Sequence, residues 1–489
     1  MRIRCSSLFV AVSLVCAAGL VGCGSDDAGA GSPEAPFNGV RGTYLNTYIW
    51  GVSEATAPPV EGISVAALVP QPSGGYTVIQ GSFDVDGKFE IPGVPEGSYL
   101  LKIQSEGGPP VFYWTKERSI EVGYLFANRP DTRPVTTSPT AMIFDVAGLS
   151  PWQETDVIEI LSPGAGSFGF PFFELTPGAT SLGGASFDAF EMFPANLIDG
   201  SQGDLLHVTQ LVTRDAGGAP YQSIGKIFTP PPFSMEDGQP TTFTGSFSDV
   251  PQIALSVDWK RAAFGAFAKD AHPLAALSDS SFSIIAEYGG TSRITATIPP
   301  SLLSFNDNGD AAADFADELS YGNPFPSAWG LVATASASFS LSVMLPGADA
   351  PKALTGEVFC STLINNKSAV ALSPGVGPVK DILVNGMPTA DWITGVGVTP
   401  TVSFSPPATG AAARYRVMIR RLEPMGATRL VGSLYTTETS VELPEGLLWE
   451  GELYYIRVFA NDTPINLTDR DAPDAYGCGS AAFTHVIQP

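Results

Sequence analysis

The stretch DGKFEIPGVPEGSYLLKI, residues 86–103, is where the fold is most directly readable. Asp86-Gly87 supplies a tight turn, and the residues after it alternate, with Phe89 and Ile91 on one side and Lys88 and Glu90 on the other. Gly93-Val94-Pro95-Glu96-Gly97 turns the chain again, and Tyr99, Leu101 and Ile103 then share a face. Upstream, residues 63–69 and 76–79 repeat the same period of two. A pattern of period two punctuated by Gly and Pro predicts short strands in hairpins.

The rest of the chain agrees in composition. Of 489 residues, 52 are Gly and 42 are Pro, with 44% hydrophobic residues, so turns are plentiful and the apolar content is too high for disorder. The expectation is an all-β, multidomain chain of antiparallel β-sandwiches. Formal net charge is −24, which becomes −26 once Arg2 and Arg4 are removed with a leader. A surface this acidic repels nucleic acid and anionic headgroups, so no nucleic-acid partner is expected.

The string at 86–103 resembles the carboxypeptidase-regulatory-like, transthyretin-type module, and residues 39–133 are assigned to it. The resemblance implies a seven-stranded sandwich serving as a spacer or a sugar-binding module, with no catalytic residue. Residues 134–365 form a large β-rich unit resembling no family, with strands expected near 140–146, 156–161, 204–212, 223–228, 242–247, 253–259, 282–288, 294–298 and 331–344. In the last of these, Ala335, Ala337, Phe339, Leu341 and Val343 share a face. A short helix is expected over 305–318. Residues 366–489 resemble a fibronectin type III domain. Leu448 and Tyr454 match that family's corner, which implies a phenol capping a backbone carbonyl, and Phe404 stands where the family usually has tryptophan.

The first 38 residues decide location. Arg2 and Arg4 precede an uncharged apolar run, residues 8–20, that is too short to span a bilayer but suits a signal peptide. Leu20-Val21-Gly22-Cys23 resembles a bacterial lipobox, which implies a signal peptide over 1–22 and acylation of Cys23, with 23–38 as a lipidated tether. Gly24, and not Asp, after the cysteine leans to outer-membrane sorting; the cell surface and the periplasmic face both stay open. The bilayer is then a partner through Cys23. Cys360 and Cys478 are the two cysteines left in an oxidising compartment, and they point to one disulfide, with two separately buried thiols as the alternative.

Chemistry is sparse. The sequence holds no Gly-x-Ser-x-Gly, His-Glu-x-x-His, Cys-x-x-Cys or phosphate-loop motif, and its three histidines, His207, His272 and His485, read as structural or surface. Asn306, Asn308, Asp310, Asp314 and Asp317 fall at positions 1, 3, 5, 9 and 12 of a loop resembling the calcium loops of dockerins and EF-hands. Ala311 replaces the usual glycine and Asp317 the usual glutamate, so the loop reads first as a polar turn, with a structural Ca²⁺ as the alternative and no other cofactor expected. Trp50, Tyr113, Trp114, Trp152, Tyr321 and Trp329 lie in or near Gly/Pro-rich connections where sugar-stacking platforms occur. The expected role is a non-enzymatic, membrane-anchored envelope lipoprotein, a surface scaffold or adhesion-type protein with an unknown protein or polysaccharide ligand. The alternative is a polysaccharide binder or glycoside hydrolase with its site in the middle domain.

Overall fold

A computed structural model of the chain describes residues 37–51, 53–59, 62–288, 296–307, 313–468 and 476–489. It is all-β: among the described residues the longest helix is Arg261–Gly265, so none is long and apolar enough to cross a membrane.

The hairpin expected at 84–92 is present. Ser82–Phe83 pairs with Lys88–Pro92, and the Asp84 carboxylate accepts the N–H groups of Asp86 and Lys88 at 2.9 and 2.8 Å, which fixes the turn. Gly87 is required there: its φ is +78°, and a Cβ would lie 2.5 Å from the Tyr44 carbonyl oxygen. Two four-stranded layers face each other in this module. One runs Ser119–Val122, Gly39–Tyr44, Lys88–Pro92, Ser82–Phe83; the other consists of Tyr76–Gln80, Ile63–Pro70, Tyr99–Ser105 and Val111–Thr115. Phe89, Ile91, Tyr99, Leu101 and Ile103 meet between them, each such burial contributing about 1.5–3 kcal/mol.

The second of these layers does not end at the module. Val111–Thr115 pairs in parallel with Arg429–Thr436 of the C-terminal region, and the ladder continues through Arg414–Leu422, Leu453–Asn461 and Cys478–Phe483. It then passes to Lys352–Leu363, Gly330–Val343, Ala276–Glu287 and Ser301–Asp307, and finally to Ala219–Phe228, His207–Ala216, Val157–Ser162 and Ser167–Gly169. The result is one continuous sheet of 19 strands. Its spatial order is not the chain order, because the N-terminal module joins the C-terminal region and not the segment that follows it.

Smaller sheets cover this sheet and close separate cores. Residues 134–365, expected as one large unit, contribute to two. One core holds Met142, Phe144, Ile158, Val208 and Phe243 under the sheet of Ala141–Ala147, Ala185–Asp188 and Thr241–Ser246. The other holds Leu255, Trp259, Phe282, Phe305 and Phe339 under Gln252–Trp259, Phe315–Gly322 and Ala369–Leu372. The expected face of Ala335, Ala337, Phe339 and Val343 is buried here, with Leu341 half-buried against it. Of the helix expected over 305–318, residues 308–312 lie outside the described residues, and both described ends are extended. Ser301–Asp307 and Phe315–Gly322 are strands in opposite sheets, and Leu319 and Tyr321 pair with Leu255 and Ile253.

The C-terminal region is a sandwich with the expected corner. Leu448 and Tyr454 are buried, and the Tyr454 hydroxyl accepts the Trp449 N–H at 3.0 Å, so the phenol meets an amide and not the carbonyl the resemblance implies. Phe404 is buried edge-on to Tyr415 at 4.8 Å. Tyr454→Phe should cost about 1 kcal/mol, since one amide loses its hydrogen-bond partner; a urea titration reads the shift in midpoint. Cys360 and Cys478 are register partners on adjacent strands and are joined as a disulfide across 118 residues.

Candidate interaction surface

The sequence-derived candidates are dispersed. Cys23, Asn308 and Asp310 lie outside the described residues. Asn306 bonds Ser304 Oγ from the end of Ser301–Asp307, whereas Asp317 lies on Phe315–Gly322 in the opposite sheet. Asp314 Oδ2 is 3.7 Å from the Lys260 ammonium, and its Oδ1 accepts the Ala262 N–H. Among the described residues no group of three or more His, Cys, Asp or Glu is placed to hold a metal ion.

The aromatics singled out as sugar platforms are not open faces. Trp152 and Tyr321 are buried. Trp329 stacks on Phe325 at 5.0 Å and meets Tyr288 at 4.6 Å. Tyr113 stacks on Tyr435 at 5.2 Å, Trp114 packs against the C-terminal core, and Trp50 is half-buried.

The histidines serve as packing. His207 meets Phe325 edge-on, and burial pushes its pKa down to about 4. His272 lies parallel to Phe483 at 5.1 Å and 6.1 Å from His485; burial, and then His485, push it down to about 4. A cavity of about 310 Å³ opens beside His272 between the second middle sandwich and the C-terminal one. On its wall Lys380 is paired with Asp270, and Lys269 Nζ donates to the Ala275 carbonyl.

One surface does present aromatic area. The chain leaving Ser167–Gly169 reads Phe170-Pro171-Phe172-Phe173, and Phe168 and Phe173 turn inward while Phe170 and Phe172 turn out. Beside it, Asp188 caps the 3₁₀ helix Ala189–Glu191 by accepting the Phe190 N–H at 3.0 Å, and also accepts Thr140 N–H at 2.9 Å. Burial opposes ionisation of Asp188, but these bonds and one from Ser138 outweigh it and hold the pKa below the usual range. Met192 then turns inward and Phe193 outward, and the Phe193 N–H donates to the Phe168 carbonyl at 2.7 Å, which ties the two segments together. Gly169 permits the approach, since a Cβ there would sit 3.1 Å from Phe187 Cζ. Four phenylalanines are left in solvent: Phe170 at 58% exposure, Phe172 at 89%, Phe190 at 50% and Phe193 at 72%. All four lie on two segments that the Phe193-to-Phe168 backbone bond holds side by side.

Sequence reasoning missed these residues. The available signal was a run of phenylalanines around prolines that keeps no strand period, within a stretch from Arg133 to Arg214 that has nine Asp and Glu and no Lys or Arg between its ends.

No protein-family model matches the chain, and no curated protein matches it. Among solved structures it is similar to the FN1–FN3 domains of chicken CNTN1, at 8% identity and a TM-score of 0.14, over 91% of this chain and 99% of that one. It is also similar to a tetra-tandem repeat in the extending region of a large adhesion protein, at 10% identity and a TM-score of 0.12, again over 91% and 99%. Likenesses at these TM-scores carry no argument about how this chain is arranged or what it does; the all-β, multidomain fold rests on the chain's own strands and sheets.

Proposed function

We propose that the chain is a non-enzymatic, lipid-anchored lipoprotein of the outer membrane that works as an interaction scaffold. The observation that carries this reading is the four-phenylalanine surface, held on a body whose sandwiches are spliced into one sheet. A shared ladder resists relative motion of its parts, because any hinge must break consecutive backbone bonds. Such a body suits presentation of a fixed surface away from a membrane.

Anchoring follows from the leader. Two acyl chains on Cys23 hold a protein stably to a leaflet, at about 0.8 kcal/mol per buried methylene. Cys23→Ser should therefore move the chain from the membrane fraction to the soluble one and abolish incorporation of labelled fatty acid. Undiminished labelling of the variant would refute acylation at this residue.

A further inference from the structure

We infer that the exposed surface of Phe170, Phe172, Phe190 and Phe193 docks a protein segment that carries apolar side chains flanked by Lys or Arg. The inference rests on the interaction-scaffold reading and adds the chemistry of the partner.

Two independent observations set that chemistry. The first is the aromatic area itself. Phenylalanine has only two side-chain torsions to immobilise, so rings standing out of a braced backbone offer contact area at small entropic cost. Asp188 pins the 3₁₀ helix, and the Phe193-to-Phe168 backbone bond pins the two segments to each other. Phe168 and Phe170 also meet edge-to-face at 4.6 Å, which orients the outer ring.

The second observation is charge. Glu174 and Glu191 are exposed within the same two segments, next to Phe173 and Phe190. The sequence between Arg133 and Arg214 supplies no Lys or Arg, and Arg133 at its edge is 3.9 Å from Asp199. Exposed phenylalanines with exposed glutamates in the same two segments select against anionic lipid and against a second copy of this acidic chain, because like charges would be brought together on contact. A cationic, apolar segment satisfies both parts, with apolar side chains on the rings and ammonium or guanidinium groups at the glutamates.

The test uses the full mature chain with Cys23→Ser and a fluorescein-labelled 16-residue peptide of leucine and lysine at helical spacing. Two control peptides replace its leucines with serine or its lysines with glutamate. Anisotropy should show micromolar binding of the Leu/Lys peptide, with at least tenfold loss for either control. Phe172→Ser/Phe193→Ser should weaken binding at least tenfold, and Glu174→Gln/Glu191→Gln at least threefold, with thermal melts of both variants unchanged. Equal affinity of the phenylalanine variant, or no binding to the wild-type chain, overturns the proposal. So does a dimer in sedimentation equilibrium that the phenylalanine changes dissociate, which would make the occupant a second copy. Pelleting with zwitterionic vesicles that the same changes abolish would make it a lipid surface. Failure of any of these leaves the Cys23 labelling result untouched, so loss of this proposal and loss of the anchoring reading are separable.

Discussion

Asp204→Ala should lower the unfolding free energy by about 3–5 kcal/mol, the range seen when one partner of a buried ion pair is removed. Asp204 is fully buried, and its two oxygens take Arg129 Nε at 2.8 Å and Nη2 at 2.9 Å, with Asp199 N–H a third donor at 2.8 Å. Gly164 makes the room, since a Cβ there would fall 2.2 Å from Asp204 Oδ1, and its carbonyl accepts the Arg129 N–H at 2.8 Å. The hydrogen bonds to Asp204 raise the Arg129 pKa further, so the guanidinium stays charged. Without Asp204 its remaining carboxylate hydrogen-bond partner would be Asp131, whose side chain is largely in water, so that attraction is heavily screened. Arg129 lies in the segment leaving the N-terminal module, so the pair fastens that segment to the first middle sandwich. The double change Arg129→Met/Asp204→Leu should recover most of the loss, because the penalty is an orphaned charge and not a missing attraction. Urea titration by circular dichroism reads both; a single variant within 1 kcal/mol of wild type would refute the account.

What could be read in the sequence follows from how many faces each strand buries. Phe89, Ile91, Tyr99, Leu101 and Ile103 were legible because one core lies on one side of their layers, and alternation reports that directly. The opposite face was not. Leu100, with Ala66, Leu68 and Phe112, enters the core of the C-terminal sandwich, a contact that depends on a parallel pairing more than 300 residues away in sequence. Its local trace was unbroken apolar runs where alternation was expected, at 65–69, 99–101 and 111–114. Between 305 and 318, apolar and polar residues at mixed spacings imitated a helix start, and long-range pairing with Gln252–Trp259 overrode that local preference. The phenylalanine surface was illegible for a related reason. Phe168 and Phe170 share a parity and would share a face in a continued strand, but pairing with Val157–Ser162 stops at Gly169, so Phe168 is buried while Phe170, beyond the ladder, turns to water.

Glu159→Gln should stabilise the chain at pH 8, on the order of 4 kcal/mol, while changing little near pH 4.5. Glu159 lies on Val157–Ser162 opposite Thr209, fully buried, with Oε1 accepting the Ser301 N–H at 3.3 Å and Oε2 without a hydrogen-bond partner. Burial pushes its pKa from an ordinary 4.5 up to about 8, and the Ser301 bond and the facing Thr209 hydroxyl offset this only in part. Between those two values the unfolded chain has released a proton that the folded chain still holds. Stability therefore falls as pH rises from 4.5 to 8, by about 1.4 kcal/mol per unit at most for one group. Glutamine keeps the shape and an acceptor and carries no such slope. His207 and His272 act oppositely: both are depressed to about 4, so their contribution is present above pH 6.5 and lost as pH falls toward 4. Wild type and variant share those histidines, so the difference between their stability curves isolates Glu159. That difference should open steadily from pH 4.5 and level off beyond pH 8. A difference of constant size at every pH would mean that the carboxyl is ionised in the folded chain and that its burial is offset by contacts other than those described.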